Sequence, residues 1–372
     1  TKRHPIPGID FLLILSREKY QSLLAQYPTL DDSEKIIVLG AKFSLLKKGA
    51  FRKYADKAKY ILTNYKYISS LFFPFYLIIN VLRLIKVIKK EDIHLLHGLW
   101  DGLTECTLVR KVYSKVLFVM SYVEPGGRFL ENRIYRNNPS FLPWVIMQAD
   151  AIEVQCKPYK DILENAGLLK KQQPLFMAPC SFTDYSKAFE REKQNRVVFL
   201  ARLDPLKNPL LFLEAAQLIL RKRDDIVFEM YGDGPLKKRI ISFLEEYGLS
   251  DKILFGYSVN PYEVFSGSKV FCSLASYGSF PEQSTLEALA CKNALISTET
   301  PDSATFIRKE FGLITGFKPE ELAGKIEFLI DNPVLCKELG ERGHAFVTAE
   351  HTVERFSGYI GDVYKHLLNM KP

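Results

Sequence analysis

Short apolar runs alternate with amphipathic stretches along the whole chain. Runs of about four to eight apolar residues, bounded by polar or turn-forming residues, are typical of strands. They predict strands at residues 11–16, 35–40, 57–64, 93–97, 116–120, 149–154, 175–178, 197–201, 226–231, 253–256, 269–274 and 294–297. Helical spacing predicts helices at residues 72–90, 103–109, 209–220, 236–247, 262–266, 320–330, 333–348 and 352–369, with another entered at residue 284. Strands that alternate with helices predict an α/β fold of doubly wound parallel sheets.

A polar segment at residues 181–195 has no regular apolar period, and the alternation begins again after it. We therefore expect one domain at residues 1–185 and a second at residues 186–355. The last helix, residues 356–372, is expected to pack back on the first domain.

One stretch of the second half combines a strand, a loop and the start of a helix. The strand at residues 269–274 leads through a loop to Ser284, which together with Glu287 has the spacing of a capping box. A helix N-terminus at the carboxyl end of a parallel strand suits a phosphate group. The alternative is that Glu287 only caps the helix.

Two cations follow the first strand of the second half. Arg202 and Lys207 are placed to clamp a diphosphate, although solvated surface cations are an equally simple interpretation. Gly232 and Gly234 follow the next strand, where glycine lets the backbone approach a ligand closely.

Several motifs are absent from the chain. The sequence has no Asp-x-Asp, GxGxxG, P-loop, GxSxG or HExxH motif. We expect no metal and no cofactor, and a site that neutralises phosphate with arginine and lysine.

In the first half, polar and aromatic side chains follow two strands. His97 and Trp100 come after one strand, and Tyr122 and Arg128 come after another. We expect them to line a cleft between the domains, with His97 either an ordinary lining residue or a residue that contacts an acceptor or takes part in catalysis.

The net charge of +8 is unevenly divided. Residues 1–200 hold 31 Lys and Arg against 19 Asp and Glu, a balance of +12, and the rest hold 20 against 24, a balance of −4. Basic and aromatic residues mix at residues 51–76, which predicts docking of the first domain on an anionic membrane surface. Packing of the helix at residues 72–90 on the sheet is the alternative. No nucleic-acid motif accompanies the charge, so nucleic acid is not an expected partner.

The compartment is suggested by the cysteines and the apolar runs. Six cysteines without CxxC spacing favour a reducing compartment. No signal peptide or run long enough to span a bilayer is evident. We expect a cytoplasmic protein, peripheral on the inner face of the membrane if it docks there.

Four motifs of the second half carry a resemblance to a known family. In order and spacing, ARLDPLKNP, YGDGP, ILFGY and FPEQSTLEALA resemble the group 1 retaining glycosyltransferases of the two-Rossmann GT-B fold. The resemblance is specific over about residues 195–350 and looser before them.

The resemblance implies a donor-binding second domain and an acceptor-side first domain. Arg202 and Lys207 would bind and stabilise the leaving diphosphate, and Glu287 would accept hydrogen bonds from the ribose. Other donor contacts implied are Gly234, Tyr257, Ser279, Phe280, Pro281, Gln283, Ser284 and Thr285; the acceptor side would have His97, Trp100, Tyr122 and Arg128.

The chain departs from the family pattern at two places. Ser279 stands where the family has a glutamate that contacts the donor sugar, and Glu282 is the nearby carboxylate that takes its place as a catalytic candidate. The first half lacks the usual Gly-Gly loop, and Ser121 and Tyr122 stand in place of the usual histidine.

The function implied is metal-independent, retaining transfer of a sugar from a nucleotide-diphosphate sugar to a glycan or lipid-linked acceptor in bacterial surface polysaccharide synthesis. Two alternatives remain. One is a sugar-nucleotide epimerase of the same fold, and the other is a non-catalytic GT-B partner or glycan-binding subunit.

Overall fold

A computed structural model describes residues 13–16, 36–39, 66–99, 102–122, 141–276, 281–300, 303–307 and 310–370. Contacts divide the chain into two units. The first comprises Thr1–Glu153, Gly167–Phe176 and Gly361–Pro372, and the second comprises Val154–Ala166 and Met177–Ile360. The twelve strands within these described residues are numbered β1 to β12 in chain order below; the helices are named by their residues.

The first half of the chain contributes two sheets. β1 (Leu13–Ser16) pairs in parallel with β2 (Ile36–Leu39). A four-stranded sheet has the order β3 (Leu95–Gly98), β4 (Leu117–Tyr122), β5 (Ala151–Val154) and β6 (Leu175–Met177). The helices of this half are Lys66–Lys90, Leu103–Val112, Phe141–Gln148 and Lys157–Asn165.

The second unit is built on a six-stranded parallel sheet. Its strands are β7 (Gln194–Leu200), β8 (Val227–Tyr231), β9 (Ile253–Gly256), β10 (Ser268–Ser273), β11 (Ala294–Thr298) and β12 (Gly312–Thr315). Its helices are Pro209–Leu220, Lys237–Glu246, Pro261–Ser266, Gln283–Ala290, Ser303–Phe306, Pro319–Asp331 and Pro333–Glu350, and Val353–Asn369 follows them.

The order of the six strands is β9-β8-β7-β10-β11-β12, and every neighbouring pair is parallel. In chain order these are the third, second, first, fourth, fifth and sixth strands of the unit, which is the Rossmann order. The chain therefore leaves β7 toward one edge of the sheet and returns to pair β10 with the other side of β7.

Both faces of this sheet are covered, and β7 shows how. Val197 and Phe199 lie in one apolar cluster with Phe212 and Phe228, whereas Val198 lies in a second cluster on the other face with Phe271. A strand buried on both faces needs apolar residues at consecutive positions, which is why the VVFL part of β7 is an unbroken apolar run.

The predicted elements are confirmed within a few residues over the described part of the chain, and the predicted strand at residues 57–64 lies outside it. The α/β class with parallel sheets is confirmed as well. The sequence did not indicate helices Phe141–Gln148, Lys157–Asn165 and Ser303–Phe306 or strand β12. Phe141–Gln148 is apolar at almost every position, so it has no helical period to detect.

No helix in the described ranges combines the length and the apolar character needed to cross a bilayer. The domain limits at residues 185 and 355 stay predictions. Near the chain end, the Phe176 and His366 rings are in edge contact, with centroids 5.5 Å apart.

We predict that Phe228→Ala destabilises the second unit by about 3–5 kcal/mol, because it leaves a cavity in a fully buried cluster. The ring of Phe212 lies 5.9 Å from that of Phe228 and loses its partner. Val227→Ala, at the exposed first position of β8, should cost about 1 kcal/mol or less. Equal effects of the two variants in urea denaturation would contradict the burial of Phe228.

Candidate active site

A cavity of about 430 Å³ opens at the carboxyl ends of β7, β8 and β9 in the second unit. The point where the strand order reverses lies there, between β7 and β10, and open parallel sheets bind ligands at such points. The cavity is lined by Leu200, Ala201, Arg202, Lys207, Tyr231, Gly232, Asp233, Tyr257, Ser258, Glu282, Gln283 and Ser284.

Each of the two predicted cations in this cavity has a carboxylate partner. Arg202 Nε lies 3.3 Å from Asp204 Oδ2, and the Arg202 side chain is 43% exposed. Lys207 Nζ lies 2.5 Å from Glu282 Oε1, and this pair is much less exposed, at 22% and 12%. Both cations therefore line one cavity, but their surroundings differ.

The loop that carries Lys207 is tied to the end of β10. A short 3₁₀ turn, Pro205–Lys207, is opened by the Asp204 carboxylate, which accepts a hydrogen bond from the Leu206 N–H. The Leu206 carbonyl accepts the Ser276 N–H at 2.8 Å, and the Asn208 side-chain amide donates to the Leu274 carbonyl at 2.8 Å. These bonds hold the lysine beside the helix that follows β10.

Two glycines allow the β8 loop to lie directly against the β7 loop. A Cβ added at Gly232 would lie 2.0 Å from the Ala201 carbonyl oxygen, and one at Gly234 would lie 2.5 Å from that of Leu203. Both have φ near 157°, which side-chain-bearing residues rarely adopt. Gly232 lines the cavity, whereas Gly234 is packed against Leu203 and positions the loop.

The predicted capping box at Ser284 and Glu287 is wrong. The helix begins at Gln283 with Glu282 as its N-cap, and no side chain caps it. The Glu282 carbonyl already accepts the N–H groups of Thr285 and Leu286 at 3.0 and 3.2 Å. Ser284 is thus the second helical residue, and Glu287, as the fifth, lies too far along the helix to cap it.

With the capping role removed, the burial of Glu287 stands out. It is 8% exposed, and burial raises the pKa of its carboxyl group to about 7, against a smaller opposing effect of a hydrogen bond from Gln283. Gln283 lines the cavity and also donates to Thr183 Oγ1 at 3.3 Å. A buried carboxyl group whose pKa is raised in this way is a feature of functional sites.

The other predicted donor residues fall into three groups. Tyr257 and Ser284 line the main cavity, and Tyr257 is 69% exposed. Pro281 and Thr285 line a second, small cavity of about 30 Å³ that also touches Glu282. Ser279 and Phe280 lie outside the described residues.

In the first unit, His97 has both ring nitrogens engaged. Nδ1 lies 2.6 Å from Tyr364 Oη, and Nε2 lies 2.6 Å from Ser121 Oγ, which in turn donates to Glu153 Oε2 at 2.5 Å. Because Ser121 donates to the glutamate, it accepts from Nε2–H, and Nδ1 then accepts from the tyrosine hydroxyl. Burial lowers the pKa of His97 to about 4, so the ring is neutral at pH 7.

This hydrogen-bonded chain ends on a buried carboxyl group. Glu153 is 2% exposed, burial raises its pKa, and its Oε1 has no hydrogen-bond partner in the described part of the chain. Tyr122 is 1% exposed, so contact with an acceptor would require it to become accessible. Trp100 and Arg128 lie outside the described residues.

The sequence did not single out Tyr231, Thr183 or Glu153. Tyr231 is the last residue of β8 and lines the cavity, and its hydroxyl donates to Glu229 Oε2 at 3.2 Å. Its place at a strand end was the available signal. Thr183 and Glu153 gave none, since their roles depend on partners distant in the sequence.

Within the described ranges, no three His, Cys, Asp or Glu side chains group closely enough to hold one metal ion. The cations at the cavity are the groups available for an anionic ligand. Metal independence itself stays a prediction.

Comparison with known proteins identifies the cavity-bearing segment. Residues 182–346 match the family model for glycosyl transferases of group 1. This segment, a little under half of the chain, is similar to the group 1 glycosyltransferases. The motifs that carried the resemblance, from ARLDPLKNP to FPEQSTLEALA, all lie inside it.

Two curated bacterial relatives illustrate the family. A poly(ribitol-phosphate) alpha-N-acetylglucosaminyltransferase of Staphylococcus aureus is 27% identical over 175 residues, covering 46% of this chain and 34% of its own length. An alpha-1,4-N-acetyl-D-galactosaminyltransferase of Campylobacter jejuni, named for a PP-undecaprenol-linked substrate, is 31% identical over 176 residues, covering 45% and 48%. The chain thus spans about a third to a half of the length of the curated relatives it matches.

Two solved structures that match almost the whole chain show its fold. HepE of Anabaena, solved in complex with UDP, gives a TM-score of 0.68 at 12% identity over 96% of this chain and all of the other. A glycosyltransferase from Rickettsia africae gives 0.65 at 16% identity over 97% and 99%. Likeness at this level shows the fold alone, which is the GT-B fold.

We predict that Glu287→Gln becomes more stable than the wild type as the pH rises. The folded pKa of about 7 is above that of the unfolded chain, so the wild type loses stability between about pH 4.5 and pH 7 while the variant does not. Between pH 5 and pH 8 the difference in unfolding free energy should shift by about 2 kcal/mol in favour of the variant. The exposed Glu246→Gln is the control in thermal melting, and a pH-independent difference for Glu287→Gln would contradict the burial argument.

Proposed function

We propose that the protein is a retaining, metal-independent glycosyltransferase that moves a sugar from a nucleotide-diphosphate sugar to a glycan or lipid-linked acceptor. The observation that carries this proposal is the placement of Arg202 and Lys207 in one cavity at the reversal point of a Rossmann-ordered sheet. The place of action proposed is bacterial surface polysaccharide synthesis on the cytoplasmic side of the membrane.

The proposed chemistry depends on where negative charge develops during sugar transfer. Breaking the bond between sugar and diphosphate leaves negative charge on the diphosphate, and fixed cations at that position stabilise the transition state more than the ground state. Lys207 is held by the loop contacts to the end of β10, so it is positioned before the reaction begins. The first N–H groups of helix Gln283–Ala290 add a favourable dipole for the same anion.

The nucleotide would occupy the rest of the cavity. Glu287 lies one helical turn beyond Gln283 and, once ionised, would accept hydrogen bonds from the ribose hydroxyls. Tyr257 and Ser258 line the side of the cavity formed by the end of β9 and would flank the base. The solved complex of HepE with UDP supports a nucleoside diphosphate as the ligand class.

The class of acceptor is supported by the names of the relatives. They are transferases of N-acetylhexosamines, one named for poly(ribitol-phosphate) and one for a PP-undecaprenol-linked substrate. On the acceptor side we assign His97 a positioning role, because neither ring nitrogen is available to an incoming hydroxyl group in this arrangement.

We predict that Arg202→Ala and Lys207→Ala each lower kcat by at least about tenfold, because each removes a cation from the developing charge. The measurement is acceptor-dependent release of nucleoside diphosphate from a panel of nucleotide sugars. Lys222→Ala removes an exposed cation outside the cavity and serves as the matched control.

The same assay separates the alternatives. An epimerase would convert the nucleotide sugar without acceptor and without release of diphosphate, and a non-catalytic subunit would bind without turnover. Wild-type turnover in both cavity variants would show that the donor site is elsewhere.

We predict activity without divalent metal, because the two cations take the charge-neutralising role and no Asp-x-Asp motif occurs in the sequence. Turnover after EDTA treatment should equal that of the untreated enzyme. Loss of turnover that manganese restores would contradict this prediction.

An anionic membrane surface is the proposed docking partner of the first unit. Helix Lys66–Lys90 exposes Ile78, Ile79 and Leu82 at 55%, 47% and 61%, followed by the exposed cations Arg83, Lys86 and Lys89. Apolar side chains beside a basic cluster are typical of helices that lie in the lipid headgroup region. Side chains of residues 51–76, which first suggested this partner, lie outside the described residues.

We predict that the full chain co-sediments with anionic vesicles at low salt and less at high salt. Lys86→Glu combined with Lys89→Glu should reduce binding at least about tenfold, since each basic residue contributes about 1 kcal/mol. Lys222→Glu with Lys337→Glu, in the second unit, is the charge-matched control. Equal binding to neutral and anionic vesicles would contradict an electrostatic docking surface.

A further inference from the structure

Glu282 occupies an unusual position between the two cavities of the second unit. It lines both the main cavity and the small cavity beside it, and its carboxylate holds Lys207 at 2.5 Å. The pair is only 22% and 12% exposed, so water screens it far less than a surface ion pair.

The backbone carbonyl of Glu282 is hydrogen-bonded to the first turn of the helix, whereas its side chain does not cap the helix. Its carbonyl accepts two N–H groups of the first turn, and its φ and ψ of −60° and 145° are extended. The carboxylate makes no capping bond to the helix. The start of the helix therefore does not depend on where this carboxylate lies.

The cations in and beside the cavity form ion pairs with nearby carboxylates. Arg202 is paired with Asp204, Lys207 with Glu282, and Asp233 with Lys237 at 3.3 Å. A diphosphate that reaches Lys207 must therefore displace or share the carboxylate of Glu282. Of the three pairs, the Lys207–Glu282 pair is the least exposed. Separating this pair therefore requires the most free energy from an incoming anion.

Free nucleoside diphosphate and its sugar ester meet this carboxylate differently. The free diphosphate has a terminal phosphate with a further ionisation that the ester lacks, so it is repelled more strongly. The ester instead carries sugar hydroxyl groups, which donate hydrogen bonds to a carboxylate. The small cavity has the volume of about one water molecule, so the sugar ring would lie on the main-cavity side of Glu282.

We propose that Glu282 selects the nucleotide-diphosphate sugar over the free nucleoside diphosphate, by yielding Lys207 to the diphosphate and accepting hydrogen bonds from the sugar. This inference rests on the proposed function and adds a specificity-determining residue to it. Its consequence is weaker inhibition by the released diphosphate.

The test is calorimetry with UDP and UDP-N-acetylglucosamine, repeated with UDP-N-acetylgalactosamine, on the wild type, Glu282→Gln and Glu282→Ala. We expect Glu282→Gln to bind UDP about tenfold more tightly and the sugar esters no more tightly than the wild type. The ratio of the two dissociation constants should therefore fall about tenfold, and Glu282→Ala should lower it at least as far.

Asp225→Asn is the matched control, because it removes a carboxylate, paired with Arg223, next to the amino end of β8, away from the cavity. It should leave the ratio unchanged. An unchanged ratio in both Glu282 variants, with their melting curves showing a folded protein, would overturn the inference but not the proposed function. Absence of binding of every uridine ligand to the wild type would overturn the inference as tested with a uridine donor, whereas the proposed function does not depend on the base.

Discussion

The parallel pairing of β7 with β8 on one side and β10 on the other is the constraint on which the site depends. It brings loops that are some 75 residues apart in the sequence to one edge of the sheet, so that Lys207 and Glu282 form an ion pair. The close backbone contact of Gly232 with Ala201 then sets the distance between the loops after β7 and β8. The order of the strands therefore determines where the cavity lies, and the side chains that line it determine what it can bind.

The two cations in that cavity are each paired with a carboxylate before any ligand binds. Cations that are paired with carboxylates cost less to bury than isolated ones, and the pairing keeps Lys207 in place. An anion must compete for them, which favours ligands that compensate the displaced carboxylate. The buried carboxyl group of Glu287, with its pKa near 7, adds a second group whose charge depends on what binds beside it.

The sequence predicted the fold well because its signals are local. A run such as VVFLA in β7 is short and apolar at consecutive positions, as expected of a strand that is buried on both faces. Arg202 and Lys207 were singled out by their place after a strand end. The predicted capping box was wrong because the helix begins before Ser284, at Gln283. The hydrogen bonds of His97 with Tyr364 and of Ser121 with Glu153 could not be predicted, because no local sequence pattern marks contacts between distant residues.

The central claim is that the cavity binds a nucleotide-diphosphate sugar through Arg202 and Lys207. The most direct measurement is the melting temperature of the wild type and of the double variant Arg202→Ala/Lys207→Ala with a panel of nucleotide-diphosphate sugars. The account predicts that at least one of them raises the melting temperature of the wild type and leaves that of the double variant unchanged. Equal stabilisation of both proteins, or of neither by any member of the panel, would contradict it.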